Sequence, residues 1–189
     1  MSFFSRSNFR YNQKIPLPEG LINGQALGAV SGMKFGLSRM SRSGCEVIAV
    51  YNALLLHHKP APFLDIARYM ERFRVLMGFW GTNFFALGHC MRHYGLHTDR
   101  VRRPEPVKEA LLAGKTVVYV YWCGKRFRSS VHTVCLQRNG SGVHVYNAYN
   151  RCGHVYSAKF EDYLDKSKMI FGYIVRDDEA GAKTGAHAC

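Results

Sequence analysis

Cys45 stands at a change of character in the chain. The small, polar and basic stretch "SRMSRSG" runs up to it, and the apolar run "EVIAVYNALLL" follows directly. A thiol in the first turn of a helix meets unpaired amide N–H groups and the positive end of the helix dipole, and both favour thiolate. The next amide can help hold an oxyanion. Free cysteine is also among the most buried residue types, so the position alone suits a small core hydrophobe equally well. A nucleophile is distinguished by a base within reach and a group that orients the base.

The chain has nine histidines. His57, His58 and His97 fall at helix ends, His187 lies near the C-terminus, and His89 and His93 share a helical face that reads as surface. His132, His144 and His154 lie in or near strands. The stretch "QRNGSGVH" reads as a hairpin turn, and a two-residue Gly140-Ser141 loop sets Val134 opposite Asn147. Side-chain alternation then places His132 on the face of Asn147, as diagonal neighbours about 7–8 Å apart, and turns His144 away. The rest of that face is mostly apolar: Val134, Leu136, Val143 and Val145. His132 and Asn147 are therefore the candidate base and its orienting partner. The competing reading is a half-buried histidine beside a strand-end hydrogen bonder. A three-residue loop or a bulge would separate the pair.

The elements that must position these residues follow from periodicity. Val47, Val50, Tyr51, Leu54 and Leu55 form one buried helical stripe, with Ser43 as N-cap and Glu46 completing a capping box. Lys59-Pro60-Ala61-Pro62 stops this helix. Residues 63–75, 81–96 and 104–115 read as three further helices, the third of them closed by Gly114. Then "TVVYVYW", "VHTVCLQ", "VHVYNAY" and "MIFGYIV" read as strands, with a short helix or turn at "FEDYLDKS". Helices first and an antiparallel sheet afterwards predict an α+β domain over residues 41–176. Residues 1–40, with little periodicity, read as an N-terminal arm, and 177–189 as a disordered tail.

Composition bounds the rest. A chain of 189 residues that is 47% hydrophobic supports one domain with a real core. No segment is long and apolar enough to span a bilayer, and no secretory signal opens the chain, so a cytoplasmic protein is expected. Its six cysteines are dispersed and read as free thiols. His89, Cys90 and His93, or Cys152 and His154, lack the second pair that a structural zinc site needs, so no metal and no cofactor are expected. The net charge of +13 is scattered and without a nucleic-acid-binding motif. It reads as a solvated surface, or, second, as a rim for an acidic partner. Trp80, Phe84, Phe85 and Trp122 read as core.

The order of these parts resembles the papain-like cysteine peptidase fold, and more closely its bacterial double-glycine (bacteriocin-processing) leader peptidase branch. The resemblance spans about residues 36–176. It is carried by "SGCEVIAVYNALL", "GTNFFALGHCMRHYGL", "LLAGKTVVYVYW" and "VHTVCLQRNGSGVHVYNAYN". It implies a Cys45–His132–Asn147 triad that hydrolyses a peptide or other amide, with transfer to a different acceptor as a variant. The family's second oxyanion donor is a glutamine about six residues before the cysteine. Arg39 holds that place here, with Ser41 and Ser43 as substitutes. Glu46 stands where relatives carry glycine or a small residue, which sets a negative charge beside the thiol. No transporter domain follows, which implies a stand-alone peptidase. A catalytically inactive homologue and a basic binding module are the alternatives.

Overall fold

The computed structural model describes residues 3–17, 19–124 and 130–177. The expected tail, apart from Asp177, lies outside them. Helices occupy the N-terminal half and an antiparallel sheet the C-terminal half, the α+β arrangement expected.

Its centre is helix α3 (Cys45–Leu56), buried on nearly every side. Val47, Ile48, Ala49, Val50, Ala53 and Leu54 have no exposure, whereas Tyr51 and Leu55 are half-buried. The single expected stripe is too narrow, because the helix has neighbours on two sides. Strands β4 (Val117–Cys123) and β5 (Ser130–Asn139) take one face, and helices α4 (Phe63–Met70) and α5 (Leu87–His93) take the other. The expected cap also differs. Gly44 is the N-cap, and Ser43 instead ends a short helix, α2 (Met40–Ser43). A Cβ on Gly44 would lie 2.6 Å from the Met40 carbonyl oxygen, so any larger residue between the two helices would force the backbone to shift.

The main sheet has six strands in the order β3-β8-β4-β5-β6-β7, all paired antiparallel. Here β3 is Thr98–Val101, β6 Gly142–Tyr146, β7 Tyr156–Lys159 and β8 Lys168–Val175. The expected hairpin register is present: Asn139 faces Gly142 and Cys135 faces Tyr146. Gly140, the first loop residue, has φ 56°, as a two-residue turn with glycine leading requires. Helix α6 (Pro104–Leu112) covers the sheet face opposite α3, through Val107 and Leu111 against Val117, Val134 and Leu136.

The described residues before Met40 include regular elements. Helix α1 (Phe3–Asn12) packs on a small hairpin of β1 (Lys34–Phe35) and β2 (Ser38–Arg39). The segment after α1 is tied to α3 by Asn52, whose Oδ1 accepts the Ile22 N–H (2.9 Å) and whose Nδ2 donates to the Ile22 carbonyl (2.8 Å). The expected helix over 81–96 is shortened to Leu87–His93. Before it, Gly81 has φ 68° and Asn83 accepts the Phe85 N–H at the start of a 3-10 turn. Trp80 (70% exposed), Phe85 and Trp122 are at the surface, which corrects their assignment to the core.

Asn52 is fully buried and holds both main-chain groups of Ile22. Asn52→Leu leaves a donor and an acceptor unpaired in the interior. Urea denaturation should show a loss of about 2 kcal/mol or more.

Candidate active site

The tip of α3 meets the start of β5. Cys45 is 4% exposed, with the Thr133 main-chain amide close to its sulfur. Cys45 and His132 line one cleft of about 440 Å³, together with Gln25, Arg42, Tyr121 and Tyr163. The helix start and the strand thus deliver thiol and imidazole to one cavity. Tyr121 is the cross-strand partner of His132, and their rings meet edge to face at 5.9 Å.

The His132 ring is held by main chain. Its Nε2 lies 2.8 Å from the carbonyl oxygen of Asn147. A carbonyl can only accept, so Nε2 carries the proton and Nδ1 keeps the basic lone pair. Burial holds the imidazole below its ordinary pKa, against the opposing pull of the Asn147 and Ala148 main chain. The ring is therefore neutral near neutral pH, the form a base requires.

The Asn147 side chain lies elsewhere than alternation predicts. The β5–β6 ladder ends at Cys135–Tyr146, and Asn147 takes φ 62°, in the left-handed region that asparagine tolerates. This turn aims the carbonyl at His132 and the side chain at Gln25. Asn147 Oδ1 accepts the Gln25 N–H (3.0 Å), and its Nδ2 donates to Gln25 Oε1 (3.3 Å). Asn23 Oδ1 accepts the Asn147 N–H at 2.9 Å.

Gln25 is the residue that sequence reasoning passed over. It is buried, lines the cleft, and donates one Nε2 hydrogen to the Ser41 carbonyl at 3.1 Å. The carboxamide has a second hydrogen. Its place, 20 residues before Cys45, falls in a segment without periodicity, so spacing gave no signal. Arg39, Ser41 and Ser43, the expected donors, do not line the cleft. Arg39 is exposed on β2, Ser41 offers its carbonyl to Gln25, and Ser43 Oγ bonds Ser38 Oγ at 3.0 Å.

Glu46 does not form the expected capping box. Its side chain is 3% exposed, and Oε2 accepts the Cys45 thiol at 3.3 Å. Burial raises the Glu46 carboxyl from 4.5 to about 7, against the pull of its own amide and that of Thr82. The Cys45 thiol is pushed well above its ordinary range, first by burial and then by the Glu46 charge, against the Thr133 and Glu46 amides. At rest the site therefore holds a neutral thiol and a neutral imidazole.

Among the described residues, no group of three or more His, Cys, Asp or Glu residues is placed to hold a metal. Cys45, Cys90, Cys123, Cys135 and Cys152 are all free thiols, as expected. No described helix is long and apolar enough to cross a membrane.

A helix that begins at Cys45 is thus followed in the chain by an antiparallel sheet that carries His132. No protein-family model and no curated protein matches the sequence. Among solved structures the chain is similar to a double-glycine-motif protease from an AMS/PCAT transporter, in complex with the leader peptide. Identity is 20%, coverage 69% of this chain and 82% of that one, and the TM-score 0.48. It is also similar to a variant of the Salmonella effector SpvD, at 11% identity, 91% coverage of each chain and a TM-score of 0.43. Neither likeness carries a reading of function, which rests on the geometry of the site.

A carboxyl whose pKa rises on folding stabilises the protein below its unfolded pKa of 4.5, and that stability is lost as pH climbs through about 7. The neutral isostere Glu46→Gln does not incur this loss. Denaturation should find wild type and variant similar at about pH 4, and the variant more stable by about 3 kcal/mol at about pH 8.

Proposed function

We propose that the protein is a thiol-dependent amide hydrolase, a cysteine peptidase with Cys45 as nucleophile and His132 as general base and acid. The observation that carries this reading is that the thiol and a neutral, main-chain-held imidazole line one cleft. In the reaction, Cys45 loses its proton to His132 Nδ1 and sulfur adds to the amide carbonyl carbon. The tetrahedral oxyanion forms beside the N–H groups at the start of α3 and the spare hydrogen of Gln25. Collapse breaks the C–N bond, and the amine leaves with the proton from Nδ1. Water, deprotonated by the same nitrogen, then adds to the thioester carbon; the C–S bond breaks, the acid leaves, and the proton returns from Nδ1 to sulfur. A different nucleophile in place of water would make the protein an acyltransferase.

Asn147 contributes in two ways. Its carbonyl orients the ring, and its side chain holds Gln25. Arg42, exposed on the cleft wall, supports a peptide or an acidic partner as the occupant.

Deep burial of Cys45 and its bond to Glu46 favour a second reading, an inactive homologue with the cysteine as a core residue. The experiment that decides is incubation with a peptide library, with products and any acyl adduct on Cys45 read by mass spectrometry. Cleavage with an adduct on Cys45 is expected; a complete absence of both overturns the peptidase.

Cys45→Ala and His132→Ala should each abolish turnover while circular dichroism stays unchanged. Asn147→Gly keeps both the left-handed backbone and the carbonyl, so it should lower turnover less than either. Gln25→Ala should lower kcat by about a hundredfold, with a smaller change in KM.

A further inference from the structure

We propose that Glu46 is a latch on the nucleophile: its carboxylate holds the Cys45 proton in the free protein and opposes thiolate formation until the carboxyl is neutralised or drawn aside. This rests on Cys45 being the nucleophile, and adds how that nucleophile is kept quiet.

The geometry carries the inference. The thiol has a carboxylate oxygen at 3.3 Å, and both side chains are almost fully buried. That carboxyl is seated from behind. A Cβ on Gly81 would lie 2.7 Å from Oε2, and φ at Gly81 is 68°, so the 75–81 loop shapes its back against Glu46. The Thr82 amide faces the carboxyl, and among the described residues no cation pairs with it. Burial without a counter-charge is an unfavourable place for a carboxylate. The remaining groups around the sulfur are the Thr133 amide and the Tyr121 phenol, with His132 and Arg42 lining the same cleft.

In the resting pair the proton stays on sulfur and points at Oε2. Transfer to His132 Nδ1 breaks that bond and leaves two adjacent anions, sulfur and carboxylate. A protonated Glu46, or one displaced by a bound substrate, removes the second anion. The latch thus makes ionisation of the thiol depend on the state of its neighbour.

This predicts a signature in pH. While Glu46 is neutral, each step up in pH raises the thiolate about tenfold. Once Glu46 ionises, at about 7, the same thiolate must form against a like charge and the rise flattens. Glu46→Gln keeps the shape and removes the charge, so its profile has no such break.

The test is alkylation of the full chain by iodoacetamide from about pH 5 to about pH 10, with rates read at Cys45 by peptide mass spectrometry. Wild type should flatten above about 7. Glu46→Gln should rise through that region unbroken and label about tenfold faster at about pH 8.5. An unbroken rise in wild type, or a Glu46→Gln rate equal to or below wild type, overturns the latch. Should Glu46→Gln fail to fold, the wild-type profile alone decides. Labelling needs no turnover, so the two readings separate. A broken profile without peptide cleavage keeps the latch and removes the peptidase, and an unbroken profile with cleavage does the reverse.

Discussion

Burial of α3 on nearly every side is the constraint from which the rest follows. A helix enclosed by strands in front and helices behind leaves little room for an idle polar group, and its two buried polar side chains, Glu46 and Asn52, both have partners. Asn52 fastens the incoming N-terminal segment, and Glu46 takes the thiol beside it. The same enclosure brings Cys45 against β5 and drives both Cys45 and His132 toward their neutral forms. The position that makes the thiol available to the histidine is thus also the one that makes it hard to ionise. Under the proposed function, such a site starts from an uncharged pair and must create its charge as the amide is attacked.

Much of this was legible in the residues, because it rests on short-range rules. The Gly140-Ser141 turn set the hairpin register, since a glycine-led two-residue loop leaves little freedom. The break at Gly44-Cys45 marked the helix start, and the strands of the sheet centre showed themselves as β-branched and aromatic runs. Strands β3 and β7 were missed for a physical reason. They are the two edges of the sheet, short and partly polar, as edges that must not recruit a further strand tend to be. Their sequences, "TDRV" and "YSAK", carry no buried pattern to read.

The site was legible in its partners and less so in its geometry. Reading Asn147 as a continuing strand residue put its side chain beside His132. A single left-handed residue ends the pleat one position after Tyr146 and swaps the roles of side chain and carbonyl. Nothing local distinguishes an asparagine that extends a strand from one that terminates it. Gln25 escaped for the opposite reason. It reaches the cleft through two tertiary anchors, Asn52 and Asn147, separated from it by 27 and 122 positions, and no periodic rule spans such distances.

The hydrogen bond from His132 to the main chain of residue 147 has a consequence for how sites of this kind are compared. Catalytic inventories are written in side chains, so if the proposed function holds, a third member supplied by the peptide backbone leaves no letter to match. What would be guarded at such a position is a torsion angle, which asparagine, aspartate or glycine can each provide. Two proteins could therefore hold the same imidazole in the same way while their aligned residues looked unrelated.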